Sequence, residues 1–365
     1  IAVLTSHQTS ENIKIADLLK SLRPYYNLAS FNLKEEGLTD QKSLENLNQF
    51  DLLLVSNPKE EFTRNEKYIL DQFSLNGGSQ FWMIEGLNID IESLFNSKGK
   101  TQGFPRNLNL DDYFFNYGIK IQKKILQDLY NAPIVLASGS NENTQYIPYP
   151  WPYYPVSKPE NSSQIGKDIG PIITKFVSPI DTLSNNLLKK PILKSSKFTK
   201  STSASKLISL ELAGQKNDPS SFDESDKILG LTVEGKTTSL FKNRIKPINL
   251  KNSKENGPVK MIIFGDGNLA ENQTDKGVPL SLGYDKWTNN FYSNKSLIMN
   301  SIHYLTDNNV RLSLRKKIWQ VAFLDEQKIL RNIAIWKISL LLFPLLLGIG
   351  IGWINLRIRS KYLLV

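Results

Sequence analysis

No cysteine occurs in the 365 residues, which excludes disulfides, thiolate zinc sites and a cysteine nucleophile and leaves the redox compartment open. Histidine is nearly as scarce. With only His7 and His303, neither a histidine metal centre nor a Ser-His-Asp triad can be assembled from the usual parts, and both residues read as structural. No strand is followed by GxGxxG, so no dinucleotide is expected, and no other cofactor is implied. Acidic residues are also in deficit, 35 against 45 Lys and Arg, for a net charge of +10. From Arg311 onward, ten basic residues face only Asp325 and Glu326, a net of +8 that leaves about +2 for the first 310 residues. The excess is confined to one end. It is no groove for phosphates, and nucleic acid is not an expected partner.

Long apolar runs are missing too, with one exception, Ile338 to Ile354 (ISLLLFPLLLGIGIGWI). Counted from Ile333 and carrying Lys337, the stretch reaches about 22 residues and predicts a transmembrane helix with the lipid bilayer as partner. Trp336 and Trp353 would sit at headgroup level, Lys337 would snorkel, Pro344 is tolerated in membrane helices, and Arg357, Arg359 and Lys361 form a basic tail. The layout expected is a domain over 1–310, a juxtamembrane segment over 311–332, a membrane helix over 333–356 and a tail over 357–365. The chain opens on IAVLTS without a signal peptide, so an upstream segment is expected in the natural protein.

The remainder alternates strand and helix. Ile1 to Thr5 reads as a strand, and Ile15, Leu18, Leu19 and Leu22 form a helical stripe stopped at Pro24. A strand over Tyr26 to Leu33, a helix over Asp40 to Phe50 and a strand over Leu52 to Val55 follow. Next come a helix over Arg64 to Leu75, closed by Gly77 and Gly78, and a strand over Phe81 to Ile84. Such βαβ units predict an α/β fold with a mostly parallel sheet covered on both faces. Ligands of such sheets bind beyond the strands' carboxyl ends, which makes His7, Asn57, Glu85 and Asp266 candidates for a strand-end crevice. The same polar residues also suit turns and helix caps.

Two further stretches stand out. In Tyr146 to Pro159, five prolines alternate with Tyr149, Trp151, Tyr153 and Tyr154, which predicts an extended polyproline-like loop. Its rings form either an interaction surface or a cover over the domain's own body. Gly230 to Thr237, GLTVEGKT, satisfies the P-loop pattern letter for letter. However, a polar DESDKIL precedes it, Leu231 to Val233 are strand formers, and Glu234 would face a phosphate. A strand, a turn at Glu234 and Gly235, and a return strand are expected instead.

Several segments in succession resemble one family: IAVLTSHQTSENIKIADLLKSLRPYYNL, DDYFFNYGIKIQKKILQDL, PYPWPYYP, KPILKSSKFTKS, LTVEGKTTSLFKNRI and KMIIFGDGNLAENQTDKGVPLSLGYDKWTNNFYSNKSLIMNSIHYLTD. Together they are similar to the gliding-motility-associated ABC transporter component GldG and its relatives. Gly265 and Asn268 depart from the form of that turn expected in the family, which is closer to SDGD. The resemblance implies a non-enzymatic subunit, membrane-anchored and extracytoplasmic, that works in binding or coupling with a cytoplasmic ATPase and an ABC-type membrane subunit. It implies the sheet architecture of class I glutamine amidotransferases, a flavodoxin-like arrangement, whose activity needs the cysteine this chain lacks. It also places the body in the periplasm of a bacterial inner membrane with a cytoplasmic tail, where flanking charges alone tie. The rivals are a membrane-tethered hydrolase or glycan-active enzyme with a carboxylate site at the strand ends, and a structural envelope scaffold. No residue pattern names a substrate.

Overall fold

Runs of β-branched and large apolar residues alternate between two hydrophobic layers, and that alternation builds the central sheet. A computed structural model describes residues 1–89, 91–139, 144–204, 207–215, 217–306 and 333–362. Four early strands, β1 (Ala2–Leu4), β2 (Ala29–Phe31), β3 (Leu52–Ser56) and β4 (Ser79–Met83), pair in parallel in the order β2-β1-β3-β4. Along β3, Leu53 and Val55 enter one layer and Leu52 and Leu54 the other; along β4, Trp82 opposes Phe81 and Met83 in the same way. Helices α2 (Asp40–Leu47) and α3 (Arg64–Leu75) cover the first layer through Leu44, Leu47, Tyr68 and Phe73. Helix α1 (Ala16–Leu22) covers the second through Leu18 and Leu22. Thr63 and Glu66 form a capping box that fixes the start of α3.

The rest of the sheet differs from expectation. Strand β5 (Asn131–Ser138) and the long β6 (Gln145–Ser157) form an antiparallel arm, which β7 (Ile172–Ile173) extends. Beyond them, β8 (Leu188–Lys194), β9 (Ile228–Thr238) and β10 (Asn256–Phe264) complete the seven-stranded sheet. Here β10 is parallel to β4, while β9 and β8 are antiparallel. The sheet is therefore mixed, and many two-stranded sheets accompany it, so the mostly parallel, glutamine amidotransferase-like sheet expected from the sequence is corrected. The cause is local. The β9–β10 connection, 239–255, contains no helix that could carry the chain back across the sheet, so the two strands meet antiparallel. After the short helices α4 (Ile91–Asn96) and α5 (Asp111–Asn116), helix α6 (Asn294–Leu305), the last described in this unit, packs Leu297, Ile298 and Ile302 into the second layer.

Two further expectations resolve here. The P-loop lookalike lies within β9, one strand that runs through Glu234 and Gly235 without turning; Lys236 pairs with Pro258 in the ladder. The proline-rich stretch is strand β6, where a loop was expected. Pro148, Pro150 and Pro152 sit at every second residue, so their missing N–H groups fall on one edge. The N–H of Trp151, between two of them, donates to Asn131 Oδ1 at 2.8 Å.

The chain divides into two compact units, Ile1–Lys316 and Lys317–Val365. In the second, a helix α7 (Ile333–Tyr362) carries Trp336, Lys337, Pro344, Trp353, Arg357, Arg359 and Lys361, and the Arg357 guanidinium lies 4.5 Å from the Trp353 ring centroid. Among the described residues no helix is long and apolar enough to cross a membrane, which overturns the expected transmembrane anchor and with it the inner-membrane placing and cytoplasmic tail. The uncharged run of 17 residues, Ile338 to Ile354, spans about 26 Å at a helical rise of about 1.5 Å, short of the roughly 30 Å hydrocarbon core. Reaching 22 residues required carrying the charge of Lys337 inside the span. The expected juxtamembrane segment, 311–332, lies outside the described residues.

Candidate functional site

The turn after β10, Gly265 to Asn268, joins two contrasting environments. Its glycines are dictated by close approach: a Cβ on Gly265 would lie 2.0 Å from the Ser178 carbonyl oxygen, and one on Gly267 would lie 2.5 Å from Asn57 Oδ1. Asp266 caps the following 3-10 turn, Gly267–Ala270. Its Oδ1 accepts the N–H of Asn268 at 2.8 Å and its Oδ2 that of Lys175 at 2.8 Å. Burial pushes the Asp266 carboxyl up to about 7, against the two backbone hydrogen bonds.

On one side of this turn is a sealed polar network. Asn57 Nδ2 donates to Asn268 Oδ1 at 3.0 Å, and Asn268 Nδ2 donates in turn to Glu85 Oε1. Arg106 closes the circuit. One arm of its fork donates to Asn57 Oδ1 at 2.6 Å and to the Pro58 carbonyl at 3.1 Å, while the other reaches Glu85 Oε2 at 2.8 Å. Glu85 is 2% exposed and Arg106 6%. Burial raises the Glu85 carboxyl, with Arg106 opposing and Asp266 and Glu271 adding to the rise. Asn57 has a positive φ of 49°, tolerable for asparagine and fixed by its two hydrogen-bonded neighbours.

Of the four predicted crevice residues, Asn57, Glu85 and Asp266 are thus brought together, linked by Asn268 and Arg106. His7 is not. Its ring stacks on Phe62 at 3.8 Å, with Nδ1 2.9 Å from Ser6 Oγ and Nε2 3.3 Å from Glu66 Oε2, a structural seat at the start of α3. Arg106 gave no signal in the sequence, because a loop arginine after a proline carries no periodicity, and Asn268 stood out only as a departure from the family's turn.

On the other side of Asp266 lies a cavity of about 430 Å³, within the range of roughly 300–1,000 Å³ usual for small-molecule sites. Rings dominate its walls: Tyr146 and Tyr154 from β6, and Tyr284, Trp287 and Tyr292 from the loop before α6. Asp266, Glu271 and Asp285 supply carboxylates and Lys175 the one ammonium of the lining. Tyr146 and Trp287 approach each other at 5.9 Å and are more than half exposed. The predicted aromatic surface divides accordingly. Within β6, Trp151 (0% exposed) and Tyr153 (2%) belong to a buried cluster, Tyr149 is partly buried against that cluster, and Tyr154 reaches the cavity. Among the described residues no group of three or more His, Cys, Asp or Glu side chains could hold a metal ion.

Residues 1–301 match the family described as an ABC-type uncharacterized transport system. The chain belongs to this family. As a member of the ABC-type uncharacterized transport system family, it is an auxiliary component of such a system. Comparison with curated proteins gives no match. Among solved structures, the mmIFT52 N-terminal domain is similar at 15% identity and a TM-score of 0.48, over 84% of this chain and 96% of that one. A putative ThuA-like protein from Parabacteroides merdae is similar at 7% identity and a TM-score of 0.36, over 84% and 90%.

Proposed function

We propose that this ABC-system component is a non-catalytic binding subunit that holds a small ligand in the strand-end cavity and works beside a separate ATPase and a membrane-embedded transport subunit. The observation that carries the reading is the cavity itself. It is preformed and lined by rings, and its carboxylates are held in place by backbone and side-chain donors of the protein. The carboxyls whose ionisation is most perturbed, Glu85 and Asp266, are 2% exposed each and tied into the network, which argues for structure over acid–base turnover. The resemblance of successive segments to GldG supports a place in an assembly of the gliding-motility type. The test is affinity capture of the full chain from cells of its source. Co-purification of an ATPase and a membrane-embedded subunit is expected, and a chain that comes down alone under cross-linking would overturn the reading.

A further inference from the structure

The cavity beside Asp266 is acidic, in a stretch of 310 residues whose net charge is only about +2. Three carboxylates, Asp266, Glu271 and Asp285, face one lining ammonium, Lys175. Nearby Lys286 is already engaged, donating to the Thr274 carbonyl at 2.7 Å and lying 3.8 Å from Asp275. Two of the rings already lie beside ammonium groups of the chain itself. Lys175 Nζ lies 5.7 Å from the Tyr154 centroid and Lys286 Nζ 5.2 Å from that of Trp287.

The carboxylates are partly satisfied by the protein. Both oxygens of Asp266 accept backbone N–H groups, Glu271 accepts from Ser10 at 2.6 Å through one oxygen, and Asp285 accepts from Gln273 at 3.0 Å, from the N–H of Trp287 at 3.3 Å and from the Thr288 hydroxyl. With about four lone-pair sites on each carboxylate, roughly half of the acceptor capacity stays open, so the lining supplies negative field and ring faces together. A quaternary ammonium, its charge spread over methyl groups, gives up less hydration against rings than a compact, strongly hydrated ammonium with three donors.

We propose that the cavity binds a quaternary ammonium group, the trimethylammonium end of a choline-type ligand, seated on Tyr146, Trp287 and the neighbouring rings and facing Asp285 and Glu271. This rests on the binding role proposed above and names its ligand class. The trimethylammonium can come from a free solute or from a lipid headgroup.

The test is a fluorescence and calorimetric titration of the full 365-residue chain with choline, with the neutral alcohol in which carbon replaces the choline nitrogen, and with ethanolamine. Choline should bind saturably and both analogues at least about tenfold more weakly. Trp287→Ala and Asp285→Asn should each weaken choline by about fivefold or more while leaving thermal unfolding unchanged. Co-sedimentation with phosphatidylcholine vesicles, competed by free choline, would assign the lipid source; binding of free choline without vesicle binding would assign the solute. Equal affinity for the neutral alcohol, tighter ethanolamine, or no choline binding overturns the proposal. A disaccharide that binds and is lost in Trp287→Ala would overturn the ligand class and leave the binding role standing.

Discussion

The two flanks of the Gly265 to Asn268 turn are built from similar residue types and do opposite things. Toward Arg106, carboxylate, amides and the two terminal nitrogens of the guanidinium bond one another in a buried network. Toward Trp287, carboxylates are fixed by protein donors but face an open cavity. Polar residues at the carboxyl ends of strands therefore do not by themselves mark a binding site. What separates structure from site is whether a countercharge already occupies the space. Arg106 fills it on one flank, whereas on the other the single lining ammonium, Lys175, stands beside three carboxylates and a cavity of about 430 Å³.

The largest effect expected from breaking this contrast is on the closed flank. Arg106→Ala leaves Glu85 buried without its partner and should cost about 3–5 kcal/mol in denaturant unfolding. A loss below about 1 kcal/mol would mean the network is wet and the contrast false. Next comes Gly265→Ala, which drives a methyl group into the Ser178 carbonyl and should cost about 1–3 kcal/mol by the same assay. An unchanged midpoint would show that the turn can relax.

A smaller, pH-dependent effect follows from Asp266, raised to about 7, and Asp71, raised to about 6, both chiefly by burial. Asp71 is held by Ser239, the N–H of Leu240 and Gln72; Asp266 faces Lys175 and the carboxylate of Glu271. Each group binds its proton more tightly folded than unfolded. Its contribution is complete below the ordinary carboxylate range, near pH 4, and is lost as pH rises through 6 to 7. The urea midpoint should accordingly decline from pH 5 to pH 8, and Asp266→Asn should flatten the slope. A midpoint that rises over that interval would contradict the burial argument. The smallest effect belongs to the open flank, where Trp287→Ala should change stability by no more than about 0.5 kcal/mol, since the ring is 58% exposed. A loss comparable to that of Arg106→Ala would make Trp287 a core residue and erase the distinction.

Periodicity carried much of the fold. Leu18 and Leu22, Leu52 to Val55, and Leu297 to Ile302 lie on buried faces because apolar spacing of 3.6 or 2 leaves no other way to remove them from water. It could not set the direction of β9 beside β10, since strand polarity depends on the connection and not on the residues of the strand. The proline stretch misled for a related reason. Proline forbids a ladder hydrogen bond on one edge only, and whether that edge is free is a property of the sheet.

The sequence by itself determined the excluded chemistries, with no thiol anywhere in the chain, and the false P-loop, whose strand formers could not make a phosphate cradle. It also supplied the succession of segments that marks the family. Only the tertiary structure decided that Arg106 locks Glu85 while Asp285 and Trp287 line a cavity. Charges and rings from separate loops and strands acquire their roles from which of them share a space and which groups have already satisfied them.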